Sequence, residues 1–144
     1  MLMRTLHIQY GAAFAAAPVF CLIYGDFLEK QRVDMFWLLF DLKSLFFLVF
    51  FYPVAEELLF RGFIQEYLHL KTKQFPPFFL FSIANILTSI VFALMHLVYH
   101  APFFALLTFV PSLLFGYFKD RYNHVLYSIV LHMFYNACYF SLVV

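Results

Sequence analysis

The chain has 144 residues, of which 65% are hydrophobic and only 12% charged, with 23 phenylalanines against nine basic and eight acidic residues. A soluble domain carries about twice that share of charge, and one this small could not hide so much apolar surface from water. A formal net charge of +1, with no basic stripe to track phosphates, also excludes a nucleic-acid-binding role.

A spanning helix takes about 20 apolar residues. The length therefore predicts one integral-membrane domain over residues 1–144, an all-α polytopic transmembrane bundle of about five spans. Runs such as residues 45–52 are apolar on every face and lack the alternation of a spanning β-barrel. The first span is expected over residues 6–24. It is retained rather than cleaved as a signal peptide, because the apolar run continues past Ala17 through Leu22 and Ile23. Residues 26–34 make a mixed-charge loop. The second element covers residues 35–70 around Pro53, either as one long kinked helix or as an interfacial segment followed by a span over 44–68. After a polar loop at 71–74, Pro76 and Pro77 start a third span that ends near Tyr99. A fourth span covers 103–118, and a loop at 119–123 leads to a fifth over 124–144. Cys21 and Cys138 fall inside spans and read as small apolar fillers. Five spans put Arg4, Lys71, Lys73, Lys119 and Arg121 on one side and only Lys30 and Arg32 on the other. The excess of cations makes the N-terminus cytoplasmic.

A charge at the centre of a span costs at least about 2.5–3.5 kcal/mol and usually marks function. The spans hold Glu56, Glu57 and Arg61 in the second element, His96 near the end of the third, and His132 and Asn136 in the fifth. Glu57 and Arg61 stand four apart and can pair along one helix face. Glu56, about 100° round the helix, then points elsewhere. His132 and Asn136, also four apart, share a line of sight. The remaining intramembrane polar residues are hydroxyls and Asn85, read as bonding to backbone or neighbouring helices. His7, His69, His100 and His124 read as interfacial or capping residues. Glutamate and histidine together can hold and deprotonate a water, and a second histidine with an asparagine amide can donate to a developing oxyanion. The set suits hydrolysis of an acyl bond, most naturally a peptide bond. Two Glu and two His could instead ligate zinc, but HExxH and CxxC are both missing, so neither metal nor other cofactor is expected.

Three stretches resemble the motifs of a known family. Glu56-Glu57-Leu58-Leu59-Phe60-Arg61 matches EExxxR, Phe92-Ala93-Leu94-Met95-His96 matches FxxxH, and His132-Met133-Phe134-Tyr135-Asn136 matches HxxxN. The middle motif is weak in a chain with 23 Phe and six His, but all three in order inside spans are specific. The chain is thereby similar to the CPBP, or ABI, intramembrane proteases related to the type II CAAX prenyl endopeptidase, over a core of about residues 53–136. Leu114-Phe115-Gly116-Tyr117-Phe118 resembles that family's glycine-containing helix. The resemblance implies a glutamate-dependent, metal-independent endopeptidase of a bacterial or archaeal cell membrane. Glu56 and His96 would activate water, His132 and Asn136 would form the oxyanion pocket, and Glu57 and Arg61 would support the site. The substrate would be a membrane-anchored protein or peptide presented in the lipid bilayer. The prenyl endopeptidases carry more spans, which turns the expectation from a lipidated CAAX tail toward C-terminal tail processing or sorting. A non-proteolytic binding protein, such as a bacteriocin self-immunity factor, is the alternative. A small ion-coupled transporter is a third. One tension is internal: with span ends at Ser44 and Tyr99, Glu56 lies about 18 Å from the shared side and His96 about 5 Å. Either the second helix starts near Phe50 or the third runs beyond Tyr99.

Overall fold

The computed structural model describes residues 2–27, 41–98 and 100–142. Most of the loop expected at 26–34, the first part of the second element (35–40), Tyr99 and the last two residues lie outside the described residues. Among those described, the elements are helical apart from one isolated bridge, Phe78 to Phe81. Helix α1 is Leu2–Phe27. Helix α2 runs without a break through residues 42–72. Then follow α3 (Ile83–His96), α4 (Pro102–Leu107), α5 (Phe109–Tyr122) and α6 (Leu126–Leu142). Among the described residues, two stretches are long and apolar enough to cross a membrane, Met3–Ile23 within α1 and Pro102–Tyr122 across α4 and α5.

Helix α2 covers the span expected at 44–68 and passes through Pro53 without a break. The residues that separate the two expected alternatives, 35–40, lie outside the described residues. Pro53 shapes the helix through hydrogen bonding. Asp41 caps its start, accepting from Ser44 N at 3.1 Å and from Ser44 Oγ at 2.6 Å. Two wide-turned π segments, Leu45–Phe51 and Leu58–Ile64, flank the α-helical Tyr52–Glu57. At the end of the first, Tyr52 N donates to Phe47 O, five residues back. The next donor in that register would be residue 53, but proline has no N–H. Leu48 O is left over, and the Asn136 amide supplies the missing donor, Nδ2 to O at 2.9 Å.

Two expected boundaries shift. Helix α3 begins at Ile83 rather than at Pro76-Pro77, because the chain turns back on itself at Phe79 (φ 58°). Ser82 then caps the new helix by accepting from Asn85 N at 3.0 Å. Helix α5 continues through Lys119 to Tyr122, where Asn123 ends it in a left-handed conformation (φ 52°), so most of the expected 119–123 loop is helix.

The chain forms two compact units, one of Met1–Ala55 with Val130–Val144 and one of Glu56–Ile129. In the first, buried Ala13, Ala17 and Cys21 recur every four residues, and such a stripe of small side chains lets another helix approach closely. Tyr135 of α6 meets that stripe: its hydroxyl donates to Ala13 O at 3.2 Å, and Cys21 Sγ lies 3.8 Å from Tyr135 O. Phe14 packs on Phe134, ring centroids 4.9 Å apart. In the second unit, α2, α3 and α5 enclose a core of a different kind.

Candidate active site

That core is a polar spine. Glu57, Arg61 and Gln65 are all fully buried, although positions four apart on a straight α-helix drift by about 40° per step. The wider turn at Leu58–Ile64 helps to keep the three on one face. Arg61 has five N–H groups, and five acceptors meet them. Nε donates to Glu57 Oε2 at 3.2 Å, Nη1 to Gln65 Oε1 at 3.1 Å and Ser89 Oγ at 3.4 Å, and Nη2 to Ser112 O at 2.9 Å and to Ser112 Oγ. Gln65 continues the spine, its Nε2 donating to Gly116 O at 3.1 Å and Asp120 Oδ1 at 2.8 Å. Ser82 Oγ donates to Asp120 Oδ2 at 2.6 Å, and Asn85 Nδ2 to Leu113 O at 3.0 Å. A Cβ on Gly116 would come within 2.0 Å of Asn85 Oδ1, so only glycine fits against this network.

The expected Glu57–Arg61 pair is therefore present, with both side chains fully buried. Sequence reasoning missed its extension: Gln65, Ser89, Ser112 and Asp120. The signal was available, because Ser112, Gly116 and Asp120 repeat every four residues, as do Asn85 and Ser89.

Glu56 is half-buried and sits beside the spine rather than in it. Its height relative to His96 follows from the antiparallel run of α2 and α3. Gln65 and Ser82 share Asp120, Arg61 reaches Ser89, and the rings of Phe60 and Phe92 meet at 5.0 Å. One further turn along each helix leads to Glu56 and His96, which therefore lie at a common level within this unit. This answers the expected tension differently from either remedy. Helix α2 starts at Leu42, not near Phe50, and α3 ends at His96, before Tyr99. The two helices simply differ in length.

His96 Nδ1 lies 2.9 Å from Phe92 O. A carbonyl only accepts, so Nδ1 carries the proton and Nε2 is the basic nitrogen. His100, expected as an interfacial residue, is exposed and stacks on Phe104 at 4.3 Å and on His96 at 5.8 Å. His132 and Asn136 belong to the other unit, one turn apart on α6, with His132 buried and Asn136 bonded to Leu48 O. Among the described residues, no three His, Cys, Asp or Glu side chains group as a metal site would require. Two cavities, of about 480 and 320 Å³, lie around residues 73–82, and neither is lined by Glu56 or His96.

The family model for type II CAAX prenyl endopeptidase, Rce1-like, matches residues 35–138. The chain belongs to that family. The match contains the polar spine and all three motifs, and it begins upstream of the core expected at residue 53. Membership makes the Rce1-like chain a protease with a protein substrate, and together with the two long apolar helices it points to a membrane protein. No curated protein and no solved structure gives a match.

Proposed function

We propose that this Rce1-like chain is a glutamate-dependent, metal-independent intramembrane endopeptidase, built as a bundle of about five spans with a cytoplasmic N-terminus. Its substrate is a membrane-anchored protein or peptide cleaved close to its anchor, as in C-terminal tail processing. One observation carries the reading. Arg61 is saturated by five acceptors and neutralises Glu57, which leaves Glu56, half-buried and level with His96, as the carboxylate of the motif outside that ion pair.

The chemistry is proton transfer about one water. Glu56, assisted by His96 Nε2, takes a proton as the water oxygen attacks the scissile carbonyl. The resulting oxyanion is stabilised by donors from His132 and Asn136, whose roles rest on the HxxxN motif. An amide nitrogen carries two N–H groups. With one given to Leu48 O, the oxyanion takes the second. The protonated acid then donates to the departing amine.

Glu56→Gln tests this in cells, at matched protein levels and with membrane-protein termini as the readout. Termini generated by the wild type should vanish with Glu56→Gln, which preserves shape but cannot act as a base. Equal termini from both would refute the glutamate mechanism. A phenotype retained by Glu56→Gln without any wild-type-specific termini would turn the assignment to a binding protein.

A further inference from the structure

Residues 73–82 join α2 to α3 and include Phe75-Pro76-Pro77-Phe78-Phe79-Leu80-Phe81. Loops on soluble surfaces are polar, but here Phe75 is 57%, Phe78 66%, Phe79 88% and Leu80 56% exposed. The turn is held shut by reciprocal bonds, Phe78 N to Phe81 O at 3.0 Å and Phe81 N to Phe78 O at 3.1 Å. Phe79, at its first central position, has φ 58°, where hairpin turns ordinarily place Gly, Asn or Asp. A phenylalanine there forgoes both the steric and the solvation preference of the position.

Cations surround this apolar tip. Lys71 and Lys73 precede it and are exposed. Pro77 and Leu80 line a cavity of about 320 Å³ together with His69, Lys119 and Arg121. Lys119 is paired with Glu66 and Asp120, whereas Arg121 is exposed with its guanidinium over Tyr117. The Ser82–Asp120 bond ties the base of the loop to α5.

Two environments are excluded by these facts. Water is a poor match for four neighbouring exposed apolar side chains. The hydrocarbon interior does not accept lipid-facing backbone without helical or sheet bonding. The headgroup layer accepts both, since aromatic rings settle there and cations find phosphates.

We propose that residues 75–81 form an interfacial anchor that seats in the headgroup layer of an anionic lipid leaflet, with Lys71, Lys73 and Arg121 as its lipid-phosphate contacts. This rests on the membrane reading. The consequence reaches the active site. The 14 residues of α3 rise only about 21 Å, short of a hydrocarbon core of about 30 Å. Fixing its first turn at one interface therefore sets the depth of His96 at its other end.

The test places a single tryptophan in the full chain, with Trp37 replaced by Phe, and reconstitutes each protein in vesicles containing lipids brominated at defined acyl depths. Phe79→Trp should lose most of its fluorescence to bromines near the headgroups, little to bromines near the bilayer centre, and little to aqueous acrylamide. Quenching should strengthen when phosphatidylglycerol is added to phosphatidylcholine, and Lys71→Gln, Lys73→Gln and Arg121→Gln together should abolish that dependence. Quenching mainly by acrylamide, mainly by deep bromines, or equally in both lipids would overturn the proposal. Ala15→Trp, on an exposed position in the middle of α1, separates the two failures. If Ala15→Trp is quenched by deep bromines while Phe79→Trp answers only to acrylamide, the anchor alone fails. If neither responds to any bromolipid, the membrane reading fails with it.

Discussion

Helices α2, α3 and α5 are tied by side chains that cross from one helix to another, whereas α1 and α6 meet through Ala13, Ala17 and Cys21 and bond mainly to backbone. Both are ways to hold helices where lipid removes most of the hydrophobic drive for association. They differ in what they specify. A small-residue seam gains from close approach and can slide with little loss, because one apolar contact replaces another. Five acceptors around one guanidinium have a single satisfactory register, since a slip strands buried polar groups. The directional solution is found beside Glu56, where geometry would matter most for catalysis.

Removing Arg61 is the sharpest way to break this contrast. Arg61→Ala should destabilise the protein by about 3–5 kcal/mol, because it leaves Glu57 buried and uncompensated. Arg61→Lys should lie between, retaining the charge but offering three donors for five acceptors. Unfolding in mixed micelles measures both, and equal stability of Arg61→Ala and wild type would refute the spine. A gentler probe adds volume on each side of the comparison, one methyl group at Gly116 and two at Ala13. Gly116→Ala forces a Cβ to within 2.0 Å of Asn85 Oδ1 and should cost about 1–3 kcal/mol as overpacking. Ala13→Val adds volume to the α1 seam, where Ala13 is 7% exposed, and should cost less because that contact can adjust. The reverse order would mean that the apolar seam is the more rigid of the two.

Much of the spine was legible because its members are types that spans seldom tolerate. Glu57 and Arg61 announced themselves by charge and spacing. Ser89 and Ser112 stood out less, since a hydroxyl can bond its own helix; their four-residue spacing with Asn85 and with Gly116 and Asp120 marks a shared face, but not that a neighbour's guanidinium will claim them. Asp120 fell in the expected 119–123 loop, and Gln65, inside the expected second element, was passed over because an uncharged amide lacks the insertion cost that marked Glu57 and Arg61. The π segments of α2 left no periodic trace, as i to i+5 bonding changes the backbone without changing which residues are apolar. Pro53 was the one visible sign of a fault there. Pro76-Pro77 misled in the opposite sense: proline favours a first helical turn, but the left-handed Phe79 postpones the helix until Ser82 can cap it.

The Asn136 contact sharpens the comparison on the other unit, where one polar side chain repairs a backbone defect. Asn136→Ala should cost about 1–3 kcal/mol by leaving Leu48 O without its donor. Pro53→Ala restores an N–H in the register that reaches Leu48 O, so in that background the loss from Asn136→Ala should shrink. A double-mutant cycle measures the coupling, and strict additivity would refute the repair. The cycle also separates stability from chemistry. If the doubly substituted chain regains stability but still generates no new termini, the asparagine acts on substrate as well as on Leu48.

The smallest expected effect concerns the start of α2. Hydrogen bonds to Asp41 from the Ser44 hydroxyl, and next from the Ser44 N–H, hold its carboxyl below the ordinary range. A carboxylate whose folded pKa is depressed contributes stability that is complete above its unfolded value of about 3.9. That contribution is lost as pH falls through the lower, folded pKa. Protection of the first α2 amides against hydrogen exchange should therefore hold constant from neutrality to mildly acidic pH and weaken only below it. Asp41→Asn keeps the cap and should remove the pH dependence, while Asp41→Ala should weaken protection at every pH. The effect should stop within the first turn of α2, because an exposed cap acts on the few donors it can reach. Loss of protection spreading to the Tyr52–Glu57 segment would instead mean that the π-turned stretch between them is held from its N-terminal end rather than by Asn136.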